Sequence, residues 1–189
     1  TYWVIMIIFL DFDGVIVDSI EECYIVSCET YYGYAKFPYD KNIYKQLFYR
    51  YRGLVKPASQ YYYLHKAIES HSLDPVEEVD ILFNKYIKNK NNDEADLFEK
   101  GFFFTRLAHQ ENDYLGWIKM NPLTDFGKLL VGNRKNNIYI VTTKNRQAAE
   151  SILKYFNITV AGVYTNDDVK SAGNKGNLIS NVMNKMHEN

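Results

Sequence analysis

The sequence has few cysteines, no long apolar run and almost no net charge, and each of these shortages argues against a class of protein. It contains two cysteines and four prolines among 189 residues. The cysteines, Cys23 and Cys28, are close together and no signal peptide is visible, which favours a reducing cytoplasm over a disulfide framework. Their spacing does not place them on one helical face, so a metal-binding cysteine pair is not expected.

The charge and hydropathy patterns also exclude two kinds of partner. The formal net charge of -1 offers no bulk attraction for nucleic acid or for an anionic membrane surface. The opening apolar run, residues 3–10, is far shorter than the roughly 20 residues that a membrane-spanning helix needs. The 17 tyrosines and 11 phenylalanines lack a matching basic stripe, so we expect half-buried packing rather than base stacking. We therefore expect no nucleic-acid partner and no membrane segment.

The most informative feature is a pair of carboxylates at the end of that apolar run. Asp11 and Asp13 follow residues 3–10, which are typical of a central parallel strand, and Gly14 comes next. An acidic turn is the alternative interpretation, because Asp and Gly are common turn residues. Ionised carboxylates beside a buried strand are costly unless they bind a metal or a partner charge, and ligands of open α/β sheets bind beyond the carboxyl ends of strands. The pattern therefore predicts a ligand site.

The hydrophobic periodicity predicts a helical middle section followed by alternating strands and helices. Predicted helices cover about 20–32, 40–51, 58–70, 74–89, 94–112, 123–133, 146–156 and 176–186, predicted strands cover 3–10, 138–141 and 159–164, and a turn is predicted at 136–137. Alternating strands and helices imply a parallel sheet with right-handed crossovers. The sequence therefore predicts an α/β fold, with a small doubly wound core interrupted by an all-helical insert.

Three short motifs resemble the signatures of the haloacid-dehalogenase-like (HAD) hydrolase superfamily. The string from Asp11 to Ser19 matches every position of its first signature, Asp-x-Asp-Gly-x-x-x-Asp-Ser. The run 140–142, which ends in Thr142, resembles the second signature, and Val-Thr-Thr-Lys-Asn is similar to the form found in phosphoglycolate-phosphatase-like members. Lys175 is the best match to the third-signature lysine, and Lys170 is the fallback.

This resemblance implies a Rossmann-like parallel-sheet core with an inserted all-helical cap. The core is expected to comprise residues 1–17 and 119–189, and the cap residues 18–118. The fourth signature of the family, an acidic pair after a fourth strand, is absent because the chain stops at Asn189. We therefore expect the natural protein to continue, with the C-terminal part of the core missing here.

Asp167 and Asp168 are not expected to replace the missing acidic pair. In the strand order of the family they would start roughly 10 Å from Asp11, given a strand spacing of about 4.8 Å. Bonds between Mg²⁺ and oxygen are about 2.1 Å long.

The resemblance assigns phosphoryl-transfer roles to the two carboxylates. Asp11 is implied to be the nucleophile that forms an aspartyl-phosphate, and Asp13 to protonate the leaving alcohol and then take a proton from water. The Asp11 carboxylate and the Asp13 backbone carbonyl are implied to hold Mg²⁺, which offsets the charge of the phosphate. An acid at position 13 favours phosphate monoesters over halides or phosphonates, because an alkoxide leaving group needs a proton.

The remaining candidate residues would bind the phosphate or the substrate. Lys175 is implied to add a second positive charge, and the Thr142 hydroxyl to hold phosphoryl oxygens with nearby N–H groups at Gly14 and Thr143. A strand-end turn for Thr142 and a solvated helix start for Lys175 remain alternatives. Arg52 is the predicted substrate contact in the cap, which is expected to close over the core and exclude water.

The predicted function is Mg²⁺-dependent hydrolysis of a small phosphate monoester by a cytoplasmic monomer or homodimer. Arg50, Lys56 and Arg106 are further cap cations that suit a small anionic or polyhydroxy metabolite, although surface solvation is the commoner fate of such residues. A sugar phosphomutase of the same superfamily is one alternative. A catalytically silent binding protein is another, if the chain truly ends at Asn189.

Overall fold

The predicted Rossmann-like α/β fold is wrong, because the chain is mainly helical. A computed structural model describes residues 6–33, 39–132 and 134–187, of which about two-thirds are helical. Those residues form one sheet of three parallel strands, in the order β1 (Ile8–Leu10), β2 (Arg134–Val141) and β3 (Thr159–Tyr164). A doubly wound fold needs a wider sheet, typically of five or six strands. The alternation of strands and helices predicts a doubly wound core, but only three segments of the sequence have strand character, and the described sheet has three strands.

The chain divides into two compact units. One unit, here called the sheet unit, comprises residues 1–19 and 121–189, and the other, the helical unit, comprises residues 20–120. The described helices of the helical unit are α1 (Ile20–Tyr32), α2 (Lys41–Tyr51), α3 (Tyr61–Leu73), α4 (Val79–Lys88), α5 (Asn92–Asn112) and α6 (Tyr114–Lys119), with short 3₁₀ turns at Arg52–Leu54 and Ala58–Gln60. Those of the sheet unit are α7 (Asp125–Lys128), α8 (Arg146–Tyr155), α9 (Asn166–Ala172) and α10 (Lys175–His187).

The parallel arrangement predicted for the strands at 3–10 and 138–141 is confirmed for the described residues, where the two strands are neighbours. Ile8 pairs with Ile138 and Leu10 with Ile140, both in parallel register. The part of the predicted first strand at residues 3–5 lies outside the described residues. Apolar side chains of α9 and α10, including Val169 and Val182, pack against the end of β2. The carboxyl ends of β1 and β2 are therefore neighbours.

Local structure departs from the sequence prediction at three places in the sheet unit, the first being α9 (Asn166–Ala172), which was not among the predicted helices. The Asn pair at 136–137 lies inside β2, because an irregularity in the ladder between Lys135 and Tyr139 accommodates it. The helix predicted over 123–133 is only Asp125–Lys128, and the following backbone N–H groups bond three residues back, as in a 3₁₀ turn. Its last predicted position, Asn133, lies outside the described residues.

The core of the helical unit is aromatic, which confirms the packing role predicted for the tyrosines. Tyr44, Phe48, Tyr61 and Phe102 are at least 97% buried, and many further tyrosines pack half-buried around them. The ring of His65 is also fully buried and bonds the Tyr44 hydroxyl through Nδ1. Among the described residues, no helix combines the length and the hydropathy needed to cross a bilayer.

Backbone hydrogen bonds join the two places where the sheet unit is interrupted. The Asp18 N–H donates to the Pro122 carbonyl at 2.8 Å, and the Thr124 N–H donates to the Ile16 carbonyl at 3.0 Å. Gly127 lies so close to this strip that a Cβ atom there would be 2.1 Å from the Ile16 oxygen. A glycine is therefore required at position 127 for the two segments to approach. This strip also brings Asn121 toward the loop that carries Asp13.

Candidate active site

Asp11 lies just beyond the end of β1 and forms an ion pair with Lys175. Lys175 is the first residue of α10, and its Nζ lies 2.7 Å from Asp11 Oδ2 although the two are 164 positions apart. The other carboxylate oxygen accepts the Phe12 backbone N–H at 2.7 Å. The side chains of Asp11 and Lys175 are 47% and 34% exposed, so this carboxylate is within reach of a ligand.

Asp13 is held by a second, more deeply buried set of contacts. Its Oδ1 accepts a hydrogen bond from the Ser19 hydroxyl and lies 3.0 Å from Lys144 Nζ. The Lys144 side chain is completely buried, and its ammonium also lies 3.3 Å from Ser19 Oγ and 3.5 Å from Asn121 Oδ1. The Asp13 side chain keeps 22% exposure. One of its oxygens is therefore fixed by protein donors.

Thr142 lies where the resemblance placed it, directly after β2, but its side chain is fully buried. Its Oγ1 accepts the Lys144 backbone N–H at 3.0 Å, and its own N–H donates to the Tyr164 carbonyl at 2.9 Å. Thr143, one residue further along, is partly exposed. Thr142 thus shapes the turn that carries Lys144.

Gly14 lies in a tight loop that returns the chain toward the strip at 16–18. Its φ of +79° is in the left-handed region, which a glycine adopts without steric cost. Its N–H donates to the Val17 carbonyl at 2.7 Å, within the loop itself. The role of Gly14 in the structure is thus to form the turn that positions Asp13.

The formal charges of the four ionisable groups cancel. Asp11 and Asp13 contribute two negative charges, and Lys144 and Lys175 contribute two positive charges. A phosphate monoester dianion arriving at this cluster needs additional positive charge, since both lysines already face carboxylates. The balance of charge therefore leaves a role for a metal cation.

The chemistry of the oxygen donors fits Mg²⁺. Mg²⁺ is commonly held by one or two carboxylates together with substrate phosphates, and it keeps several of its waters. The exposed Asp11 carboxylate and the Asp13 backbone carbonyl would be such hard oxygen ligands. Across residues 6–33, 39–132 and 134–187, no group of three or more His, Cys, Asp and Glu side chains is arranged to hold a metal ion.

Other residues named from the sequence do not join this cluster. Asp168 caps α9 by accepting the Thr165 N–H at 2.7 Å, and it also pairs with Arg146. Lys170 lies on α9 and is exposed, and it is Lys175 rather than Lys170 that contacts Asp11.

Arg52 and Arg106, which the sequence suggested as substrate contacts, bind other residues of the helical unit. The Arg52 guanidinium lies 5.1 Å from the centre of the Tyr61 ring and donates to the Val55 carbonyl at 3.2 Å. Arg106 is buried and forms a two-point ion pair with Glu22, whose carboxylate also accepts the Trp117 indole N–H. Both arginines thus contribute to the packing of this unit.

Sequence reasoning missed Lys144, Ser19 and Asn121 as members of the site. Lys144 could have been found, because it belongs to the Val-Thr-Thr-Lys-Asn string that follows the predicted strand at 138–141. Asn121 carried no such signal, because the backbone pairing between residues 16–18 and 122–124 brings it there.

Comparison with known proteins identified no relative of this chain. No protein-family model, no curated protein and no solved structure matches the chain. The case for a function therefore depends on the geometry of the cluster around Asp11 and Asp13 and on the motifs that contain it.

Proposed function

We propose that the protein is a Mg²⁺-dependent phosphatase that hydrolyses a small phosphate monoester through an aspartyl-phosphate on Asp11. The supporting observation is the meeting of Asp11 with Lys175 and of Asp13 with Lys144 beyond adjacent parallel strands. The resemblance of the Asp11 to Ser19 string to the first HAD signature supports the same chemistry. The substrate class is a small phosphorylated metabolite.

The two carboxylates have environments that suit two different tasks. Asp11 is the more exposed, so one of its oxygens can approach a phosphorus atom in line with the leaving oxygen. Asp13 is held at Oδ1 by Ser19 and Lys144, which fixes the orientation of its carboxyl group. A fixed carboxyl group beside an exposed one fits the pairing of an acid–base residue with a nucleophile.

In the first step, an Asp11 oxygen attacks phosphorus and the bond between phosphorus and the ester oxygen breaks. Asp13, which is ionised in the free protein, takes up a proton from solvent when the anionic substrate binds beside it, and the departing alkoxide then takes that proton and leaves Asp13 ionised again. Lys175, 2.7 Å from Asp11, stabilises the negative charge that shifts onto the phosphoryl oxygens. The products of this step are a free alcohol and an acyl phosphate on Asp11.

In the second step, water hydrolyses the acyl phosphate. Asp13, now ionised, takes a proton from the attacking water, and the bond between phosphorus and the Asp11 oxygen breaks. Inorganic phosphate leaves, Asp13 releases its proton to solvent, and both carboxylates are ionised as they were before the substrate bound. When bound, Mg²⁺ supplies the positive charge that lets an anionic nucleophile approach an anionic ester.

The experiment that tests this proposal is a phosphatase assay with Asp11→Asn and a matched control. The chain should release phosphate from an aryl phosphate and from members of a panel of sugar, nucleotide and short-acid phosphates when Mg²⁺ is present. Asp11→Asn should reduce the rate to background because the amide cannot act as the nucleophile. Asp125→Asn, which alters an exposed aspartate 2.8 Å from Lys128, should leave the rate unchanged.

Two further measurements separate this mechanism from its competitors. Borohydride reduction during turnover should convert Asp11 into homoserine, which mass spectrometry detects, because an acyl phosphate is reducible and a carboxylate is not. Formation of an isomeric sugar phosphate without phosphate release would instead indicate a mutase. Activity that survives Asp11→Asn, or that persists fully in EDTA, would overturn the proposal.

A further inference from the structure

The helical unit contains a surface cavity with aromatic walls and two carboxylates. Its volume is about 750 Å³, within the range of small-molecule sites. Tyr31, Tyr62 and Phe98 form one wall, with ring centres 5.7 to 6.4 Å apart. Glu69 of α3 and Glu94 of α5 also line the cavity. All these residues belong to the helical unit.

Tyrosine hydroxyl groups hold the carboxylates in place. Tyr31 and Tyr32 donate to different oxygens of Glu69, at 2.7 and 3.1 Å, and Tyr62 donates to Glu94 at 3.0 Å. A phenol that donates to a carboxylate gains electron density in its ring, which makes the ring face more attractive to a cation. The hydrogen bonds therefore couple both carboxylates to the aromatic wall.

The negative charge in the cavity has no cationic partner within the described parts of the chain. Neither Glu69 nor Glu94 forms an ion pair with a described Lys, Arg or His side chain. The nearby Lys66 lies over the rings of Tyr62 and Tyr86, with Nζ 5.2 Å from the centre of the Tyr62 ring. The Tyr62 ring thus already attracts an ammonium group.

We propose that this cavity binds an organic ammonium ion. Carboxylates among aromatic rings repel anions, and a neutral apolar ligand gains nothing from them. Because each Glu69 oxygen already accepts a tyrosine hydroxyl, a quaternary ammonium head, which brings no N–H donors, suits the site best. The proposal is independent of the phosphatase function, because it uses no residue of the cluster around Asp11.

The first test is calorimetric titration with choline and with 3,3-dimethylbutan-1-ol, its uncharged isostere. Choline should bind saturably and about tenfold more tightly than the isostere, because a partly desolvated cation over aromatic rings gains on this order. Raising the ionic strength should weaken choline binding and leave the isostere unaffected. Equal binding of the two compounds, or no saturable binding of choline and tetramethylammonium, would overturn the proposal.

The second test uses variants of the cavity with a matched control. Glu69→Gln and Tyr62→Leu should each weaken choline binding severalfold, because one removes charge and the other removes a ring face. Glu78→Gln should not change it, although Glu78 also accepts a tyrosine hydroxyl, from Tyr51 at 2.9 Å outside the cavity. If circular dichroism shows that Glu69→Gln is unfolded, Glu94→Gln, at an exposed position, replaces it. Unchanged affinity in the folded cavity variants would refute the site.

Discussion

Asp13 and Asp11 are two residues apart, yet their removal should have very different effects on stability. Asp13→Ala removes the carboxylate that lies 3.0 Å from the Lys144 ammonium, and the Lys144 side chain is completely buried. Breaking a buried ion pair by removing one partner typically costs about 3–5 kcal/mol. Because Asp13 is 22% exposed, we expect a lower loss, of about 2–4 kcal/mol.

Asp11→Ala removes a pair whose side chains are 47% and 34% exposed. Solvent screens such pairs, and their contribution is about 0–1 kcal/mol. Urea denaturation of each variant, followed by circular dichroism, gives the free energies of unfolding to compare. Asp13→Asn should fall between Asp13→Ala and the unsubstituted chain, because the amide oxygen still accepts from Ser19 and Lys144.

A double variant separates the ion pair from other effects of losing Asp13. Asp13→Ala combined with Lys144→Met removes both charges, so it should recover much of the stability that Asp13→Ala loses. Equal destabilisation by Asp11→Ala and Asp13→Ala would refute the reasoning. A double variant no more stable than Asp13→Ala would do the same.

Two further predictions concern the helical unit. Glu22→Gln should lower the free energy of unfolding by about 3–5 kcal/mol, because it removes one charge of a buried ion pair with Arg106. Glu77→Gln at an exposed pair should change it by less than about 1 kcal/mol, and urea denaturation measures both. Burial lowers the pKa of His65 from 6.5 to about 3, so the folded state binds fewer protons than the unfolded chain between these values. The contribution of neutral His65 to the free energy of unfolding should therefore be fully present above about pH 6.5. It should fall by up to about 1.4 kcal/mol per pH unit on acidification toward pH 3. The pH profile of His65→Gln should be flatter. A Glu22→Gln variant as stable as Glu77→Gln, or identical pH profiles with and without His65, would contradict these predictions.

The sequence predicts the strand pairs well and the fold class poorly, for identifiable reasons. The pairing of Ile8 with Ile138 follows from two apolar runs that only a parallel arrangement can bury together. The fold class was wrong because neither the alternation of strands and helices nor a resemblance of short motifs shows how many strands a sheet will contain. The irregularity in β2 was missed because two asparagines favour a turn, and only tertiary pairing keeps them in a strand.

The candidate site shows a similar division. The first motif places Asp11 after a strand, and the third places Lys175 at or near the start of a helix. In the structure the two side chains contact each other from these positions. The contacts of Lys144 with Asn121 and Ser19 depend on long-range backbone pairing. No local pattern encodes that pairing, so a single sequence does not reveal it.

The hydrogen bond between the Asp18 N–H and the Pro122 carbonyl affects which insertions and deletions the chain can tolerate. The chain leaves the sheet unit and re-enters it at adjacent backbone positions, so residues 20–120 are attached to the sheet unit like a loop with its ends tied together. The entropy cost of closing a loop grows by only about 0.6 kcal/mol per doubling of its length. Insertions, deletions or replacement of that segment should therefore change the entropy cost of bringing Ile16 and Thr124 together by little. The sequence of residues 20–120 can therefore vary in evolution while the cluster around Asp11 and Asp13 stays the same.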